Sequence, residues 1–140
     1  MNENYIHIEE TKNLKDDTVL ESLRTSYRKK IWRKFVKAIN DFNLIEDGDK
    51  IAVGVSGGKD SLLLCKLFQE LKRDKSKNFE VAFISMNPGF EAMDMEQFEK
   101  NLKILNIPCE IFNSDVWKIA FHEDPENPCF LCAKMRRGVL

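Results

Sequence analysis

Six residues, Ser56-Gly57-Gly58-Lys59-Asp60-Ser61, interrupt an apolar stretch: Ile51-Ala52-Val53-Gly54-Val55 precedes them and Leu62-Leu63-Leu64-Cys65 follows. An apolar run that breaks into Ser-Gly-Gly and resumes with leucines predicts a strand, a tight turn and a helix N-terminus. The first turn of a helix carries backbone N–H groups with no internal partner, and the aligned peptide dipoles place partial positive charge there. Two glycines let the backbone approach an anion closely, and Ser56 and Ser61 add hydroxyls around it. Lys59 adds positive charge. Asp60 would repel a phosphate unless it holds Mg²⁺ or orients a hydroxyl, so its presence points to a metal-bound nucleotide.

A Walker A loop would need glycine at position 53 and Ser or Thr at position 60, where this chain has Val53 and Asp60. A dinucleotide-binding G-x-G-x-x-G is absent as well. The six residues resemble the SGGxDS signature of the PP-loop ATP pyrophosphatases, which cleave ATP between the α and β phosphates. The plain alternative is an ordinary glycine-rich turn between strand and helix.

The chain around the turn supplies an alternating frame. Lys50 to Val55 is the first expected strand, Asp60 to Arg73 a helix with Leu64, Phe68 and Leu71 spaced to cover a sheet face, and Lys72 to Asn78 a polar loop. Phe79 to Met86 is almost continuously apolar, as expected of a parallel strand covered on both faces. It ends at Asn87-Pro88-Gly89, at the carboxyl end of the strand, where open α/β sheets place ligands. Asp94 to Leu105 reads as a second helix, with Met95, Phe98, Leu102 and Leu105 on one stripe, and Ile107 to Phe112 as a third strand. This β-α-β-α-β order predicts an α/β fold with a parallel sheet and right-handed crossovers.

Charge is distributed unevenly. A net charge of −1 combines −4 over residues 1–23, +7 over residues 24–37 and −4 over the rest. Residues 1–23 have few apolar anchors, and a frayed or weakly helical start is expected. From Ser26 to about Phe42, Tyr27, Ile31, Phe35, Ala38, Ile39 and Phe42 recur at helical spacing, while Arg24, Arg28, Lys29, Lys30, Arg33, Lys34 and Lys37 cover the remaining surface. That surface is either a solvated face or the footprint of a phosphate backbone. Trp32 lies at the edge of the stripe. No apolar run approaches the roughly 20 residues of a membrane span and the first residues are polar, so a cytoplasmic protein without membrane association is expected.

In such a compartment the four cysteines read as thiols or metal ligands rather than disulfides. Cys65 and Cys109 fall inside apolar segments and read as core thiols. Val116 to Phe121 suits a short helix containing Trp117, and His122 sits in a polar loop. Cys129 and Cys132 differ from the other pair: on a helix they share one face, and near its N-terminus they would carry thiolate. Half a zinc site, a redox dithiol and part of an iron–sulfur cluster all use this spacing, and two unliganded thiols remain the plain alternative.

The segment Ala38 to Asp49, the SGGKDS turn, and Cys129-Phe130-Leu131-Cys132 followed by Arg136-Arg137-Gly138 together resemble the tRNA 2-thiocytidine synthetase family, over a span from about Arg24 to Leu140. The resemblance implies an adenine nucleotide alpha hydrolase-like (PP-loop, Rossmann-like) domain. ATP then adenylates the C2 oxygen of cytidine 32 in the tRNA anticodon loop, and sulfur displaces AMP. It implies Mg²⁺ and a [4Fe-4S] cluster held by three cysteines, with Cys129 and Cys132 as two of them. Ser56, Gly57, Gly58, Lys59, Asp60 and Ser61 would bind the nucleotide, Lys59 and Asp60 acting in catalysis. The basic helix and Arg136-Arg137 would grip tRNA, a donor protein or sulfide would deliver sulfur, and a homodimer is compatible with this picture.

Members of that family are longer and carry their third cluster cysteine in the later half, so the chain is expected to be the front part of such an enzyme. Its expected layout is a poorly ordered segment 1–23, a basic helix and linker 24–49, and a partial ATP-binding domain 50–140 ending in the Cys-x-x-Cys helix. The alternatives are a thiouridine or lysidine synthetase, or a non-catalytic ATP- or RNA-binding remnant. Lysidine synthesis needs no iron–sulfur site, and thiouridine synthetases open with a cysteine-rich module that this chain lacks before Cys65.

Overall fold

A computed structural model describes residues 5–87 and 92–113, together with Glu126. The alternation expected around the turn is present. Strand β2 (Asp49–Gly54) leads into helix α3 (Lys59–Asp74), strand β3 (Phe79–Asn87), helix α4 (Ala92–Ile104) and strand β4 (Cys109–Asn113). β2 and β4 both run parallel to β3, with Val53 opposite Phe83 and Ser85 opposite Ile111. The sheet is mixed, because strand β1 (Tyr5–Ile8) adds an antiparallel edge to β4 in the order β1-β4-β3-β2.

Side chains alternate along a strand, so Val53, Phe83, Cys109, Ile111 and Ile8 share one face and form a core with the buried Cys65 of α3 and Leu102 of α4. Two successive crossovers of the same hand, stepping in the same direction along the sheet, put both helices on that face. Burying each such side chain is worth about 1.5–3 kcal/mol. Among the described residues the opposite face is different: Ala52, Gly54, Glu80 and Ala82 are exposed, so β3 lacks there the two-sided cover that its composition suggests. No described helix is long and apolar enough to cross a membrane.

Residues 1–23, expected to make a frayed or weakly helical start, hold regular structure from Tyr5 onward. Besides β1, this stretch forms a 3₁₀ turn at Leu14–Asp16 and helix α1 (Thr18–Arg24). Asp17 caps α1, accepting from the amides of Val19 at 3.0 Å and Leu20 at 3.2 Å, and Leu20 and Leu23 are buried. The same carboxylate accepts from Lys66 Nζ at 2.6 Å, and that ammonium also donates to the carbonyl of Leu105 at 2.6 Å. Asn106, in the left-handed region at φ +57°, accepts from the amides of Thr11 and Lys12 at 2.7 and 3.0 Å. Long-range polar bonds therefore hold a segment whose local hydrophobicity is low.

The basic helix also departs from a single stripe. Arg28–Trp32 is a π turn, and helix α2 proper is Arg33–Asp41. Trp32 N–H bonds Tyr27 O at 3.2 Å, so the turn holds one residue too many and its faces rotate by about 100°. Trp32 is consequently buried, whereas Tyr27 and Phe42 are exposed. On α3 the expected Leu64 contact is absent as well: Leu64 is exposed, while Leu67 and Leu71 meet the helical layer of α1 and α2 and Leu62, Cys65 and Phe68 meet the sheet.

Candidate functional site

The last ladder bond before the turn is donated by Val55 N–H to Ile84 O at 2.8 Å, so the turn starts from an anchored, buried residue. The chain then leaves the sheet through Gly57 at φ +92°, a conformation that side chains with a Cβ rarely adopt. Gly58 occupies the N-cap of α3, and no side chain caps that helix. The first helical bond is Leu62 N–H to Gly58 O at 3.1 Å, which leaves the amides of Lys59, Asp60 and Ser61 without intrahelical partners. These amides and the dipole of a 16-residue helix form an anion-binding terminus.

Hydroxyls brace the turn from within. Ser56 Oγ donates to Ser61 Oγ at 3.2 Å and accepts from the Gly58 amide at 3.4 Å, while Ser61 Oγ donates to Gly58 O at 2.9 Å. Lys59 Nζ lies 3.0 Å from Asp60 Oδ1, and both side chains are more than nine-tenths exposed, at 93% and 91%. An ion pair that open to water is weak, so either group can turn to a ligand at little cost. The sequence-predicted residues Ser56 to Ser61 are therefore brought together on one terminus, with Asp60 the carboxylate of the turn.

A cavity of about 240 Å³ opens beside the turn. Ser56 and Gly57 form one wall, Ser85 and Met86 at the carboxyl end of β3 another, and Asp94, Phe98 and Asn101 of α4 a third. The volume lies below the about 300–1,000 Å³ of drug-sized pockets, room for a group of the size of a base or a ribose. Sequence reasoning missed Ser85, hidden in an apolar run, and the polar residues Asp94, Gln97 and Asn101. Their spacing on one helical face is a signal that was available.

Beyond the turn, the structure separates the basic residues. Arg28, Lys29, Lys30, Arg33, Lys34 and Lys37 are exposed, with Lys37 paired to Asp41. Arg24 belongs elsewhere: it meets the buried carboxylate of Glu70 at 3.4 Å, which Arg73 also holds at 2.6 Å. Phe35 of α2 packs edge-on against Phe68 of α3 with ring centroids 5.6 Å apart, so the basic helix rests on the helix that starts at the turn.

Cys65 and Cys109 are buried, and burial pushes both thiols up to about 12. Neither suits a thiolate ligand. Among the described residues no group of three His, Cys, Asp or Glu side chains could hold a metal. Cys129, Cys132, Arg136, Arg137, His122, the turn at Pro88-Gly89 and the helix expected over Val116 to Phe121 lie outside the described residues.

A family model described as a PP-loop domain matches residues 27–128, taking in the basic helix and the turn and ending before Cys129. Among curated proteins, the tRNA-cytidine(32) 2-sulfurtransferase of Bdellovibrio bacteriovorus is 36% identical over 112 residues, covering 79% of this chain and 43% of that protein. The protein of the same name from Paraburkholderia xenovorans is 38% identical over 117 residues, covering 80% and 34%. The one from Acinetobacter baumannii is 37% identical over 134 residues, covering 91% and 43%. The chain spans less than half the length of these relatives.

Proposed function

The chain belongs to the PP-loop domain family, and from that premise we propose that the turn Ser56–Ser61 binds the phosphates of ATP to drive thiolation of a tRNA base. The observation that carries this reading is the uncapped start of α3 behind a left-handed Gly57: three amides without intrahelical partners converge where an oxyanion fits, on a turn that the two hydroxyls brace. The cavity beside Ser85 and Met86 would take part of the nucleoside.

The names of the relatives support cytidine 32 as the target. Its C2 carbonyl oxygen is a poor leaving group, and coupling it to AMP makes it a good one. The oxygen attacks the α-phosphorus, the bond to the β-phosphate oxygen breaks and pyrophosphate departs. A sulfur nucleophile, from a donor protein or sulfide, then adds at C2, and the C2–O bond breaks to release AMP. In this reading Ser56, Gly57, Gly58 and Ser61 hold the phosphates, Lys59 offsets charge on the departing pyrophosphate, and Asp60 holds Mg²⁺. Gripping tRNA falls to the exposed bases from Arg28 to Lys37 and to Arg136-Arg137, and the target base has to leave its stack to react. Cys129 and Cys132 are the residues of this chain proposed for an iron–sulfur cluster; Cys65 and Cys109 are unsuited to it.

Alanine at Asp60 or Ser61 is expected to abolish ATP-dependent pyrophosphate release in the presence of tRNA. Release at the unaltered rate in both variants would remove the turn from the reaction.

A further inference from the structure

We propose that Phe98 is a positioning residue: its ring is the support against which Gly57 sets the shape of the phosphate turn. A Cβ built on Gly57 would lie 3.0 Å from Phe98 Cδ2 and 3.1 Å from Cε2, tighter than nine in ten real Cβ contacts. The backbone of Gly57 thus lies close against the ring edge, and a methyl group would fit only if the ring gave way by a few tenths of an ångström. Gly57 is also the turn residue in the left-handed region, at φ +92°, where the peptide on either side is most easily reoriented.

The ring itself is held by the protein interior. Phe98 packs against the buried core that contains Val53, Val55 and Leu102, so α4 carries it on the sheet rather than in solvent. A rigid apolar support under a glycine restricts the turn to the geometry that aims its amides, which lowers the ordering cost of binding an anion. The same ring lines the cavity beside the turn, so a ligand there touches the support and the turn together. No sequence motif carries this role: on the chain Phe98 is one member of an apolar helical stripe.

The test uses Phe98→Leu, which keeps the core filled while withdrawing the ring edge, and Leu102→Ala as a control. Leu102 is fully buried one turn further along α4 and does not line the cavity. In the nucleotide-free chain, the amide–Hα couplings of Gly57, which report its φ and are free of the ring's magnetic shielding, are expected to change in Phe98→Leu and to stay as they are in Leu102→Ala, although the control loses more stability.

A second arm rests on the nucleotide reading above. Magnesium-ATP is expected to bind Phe98→Leu roughly tenfold more weakly and Leu102→Ala within about twofold of the parent. Gly57→Ala is expected to cost less affinity in the Phe98→Leu background than in the parent, since part of its cost is the clash with the ring. Unchanged Gly57 couplings in Phe98→Leu, or an equal change of them in Leu102→Ala, would overturn the proposal. If those couplings change as expected while the parent chain binds no magnesium-ATP, the positioning role stands and the nucleotide reading fails.

Discussion

Asp17 and Lys66 are both almost fully buried and 2.6 Å apart. Burial works against ionisation of Asp17, but the hydrogen bond and charge of Lys66, with the amides of Leu20 and Val19, hold its carboxyl below the ordinary value. Burial likewise lowers the pKa of Lys66, and Asp17 offsets part of that shift. Truncating one partner leaves an uncompensated buried charge, so Asp17→Ala is expected to cost about 3–5 kcal/mol in urea unfolding. Asp17→Asn retains an oxygen for the cap and removes the charge. Because the folded pKa of Asp17 is depressed, its stabilisation is full above the unfolded value near 4 and disappears as pH falls through the folded one. The parent's advantage over Asp17→Asn should therefore shrink as pH falls below about 4; an advantage that persists undiminished well below that pH would contradict the pairing. At this scale the site was only half legible in the sequence. The geometry of Ser56 to Ser61 could be read because turn, cap and hydroxyls are local chemistry, whereas Ser85 and Phe98 reach their places beside it through the meeting of β3, α4 and the turn.

The elements from β2 to β4 were legible because their hydrophobic periods are strong and their connections short. β1 and α1 were not, since what holds them is nonlocal: Asp17 with Lys66, Asn106 with Thr11 and Lys12, and a strand of four residues paired to β4. The π turn at Arg28–Trp32 was equally hidden, because a helical wheel drawn at constant pitch exchanges Tyr27 for Trp32. The exposed bases that remain on this element define its prediction. Neutralising Lys29, Lys30, Arg33 and Lys34 together is expected to weaken tRNA binding and to reduce the slope of log affinity against log salt by about 0.7–0.9 for each phosphate that the helix no longer neutralises. An unchanged slope in filter-binding titrations would make this helix face a solvated surface and nothing more.

At the scale of the whole fold, the described residues form a three-strand parallel unit with α3 and α4 on one face and the Ser56–Ser61 turn at its carboxyl end, the arrangement from which the proposed chemistry follows. Anaerobic reconstitution with iron and sulfide is expected to give visible absorbance that disappears in a Cys129→Ala, Cys132→Ala double variant. Cys65 and Cys109, with thiols pushed up to about 12, cannot readily substitute, and colour persisting in the double variant would put the ligands elsewhere. The central claim is that the turn at the head of α3 grips a nucleotide by its phosphates. The most direct measurement is a crystal structure of the chain with ATP and magnesium: the account predicts phosphate oxygens within hydrogen-bond distance of the amides between Gly57 and Ser61, with the metal at Asp60. Nucleotide bound elsewhere while that turn stays empty would contradict it.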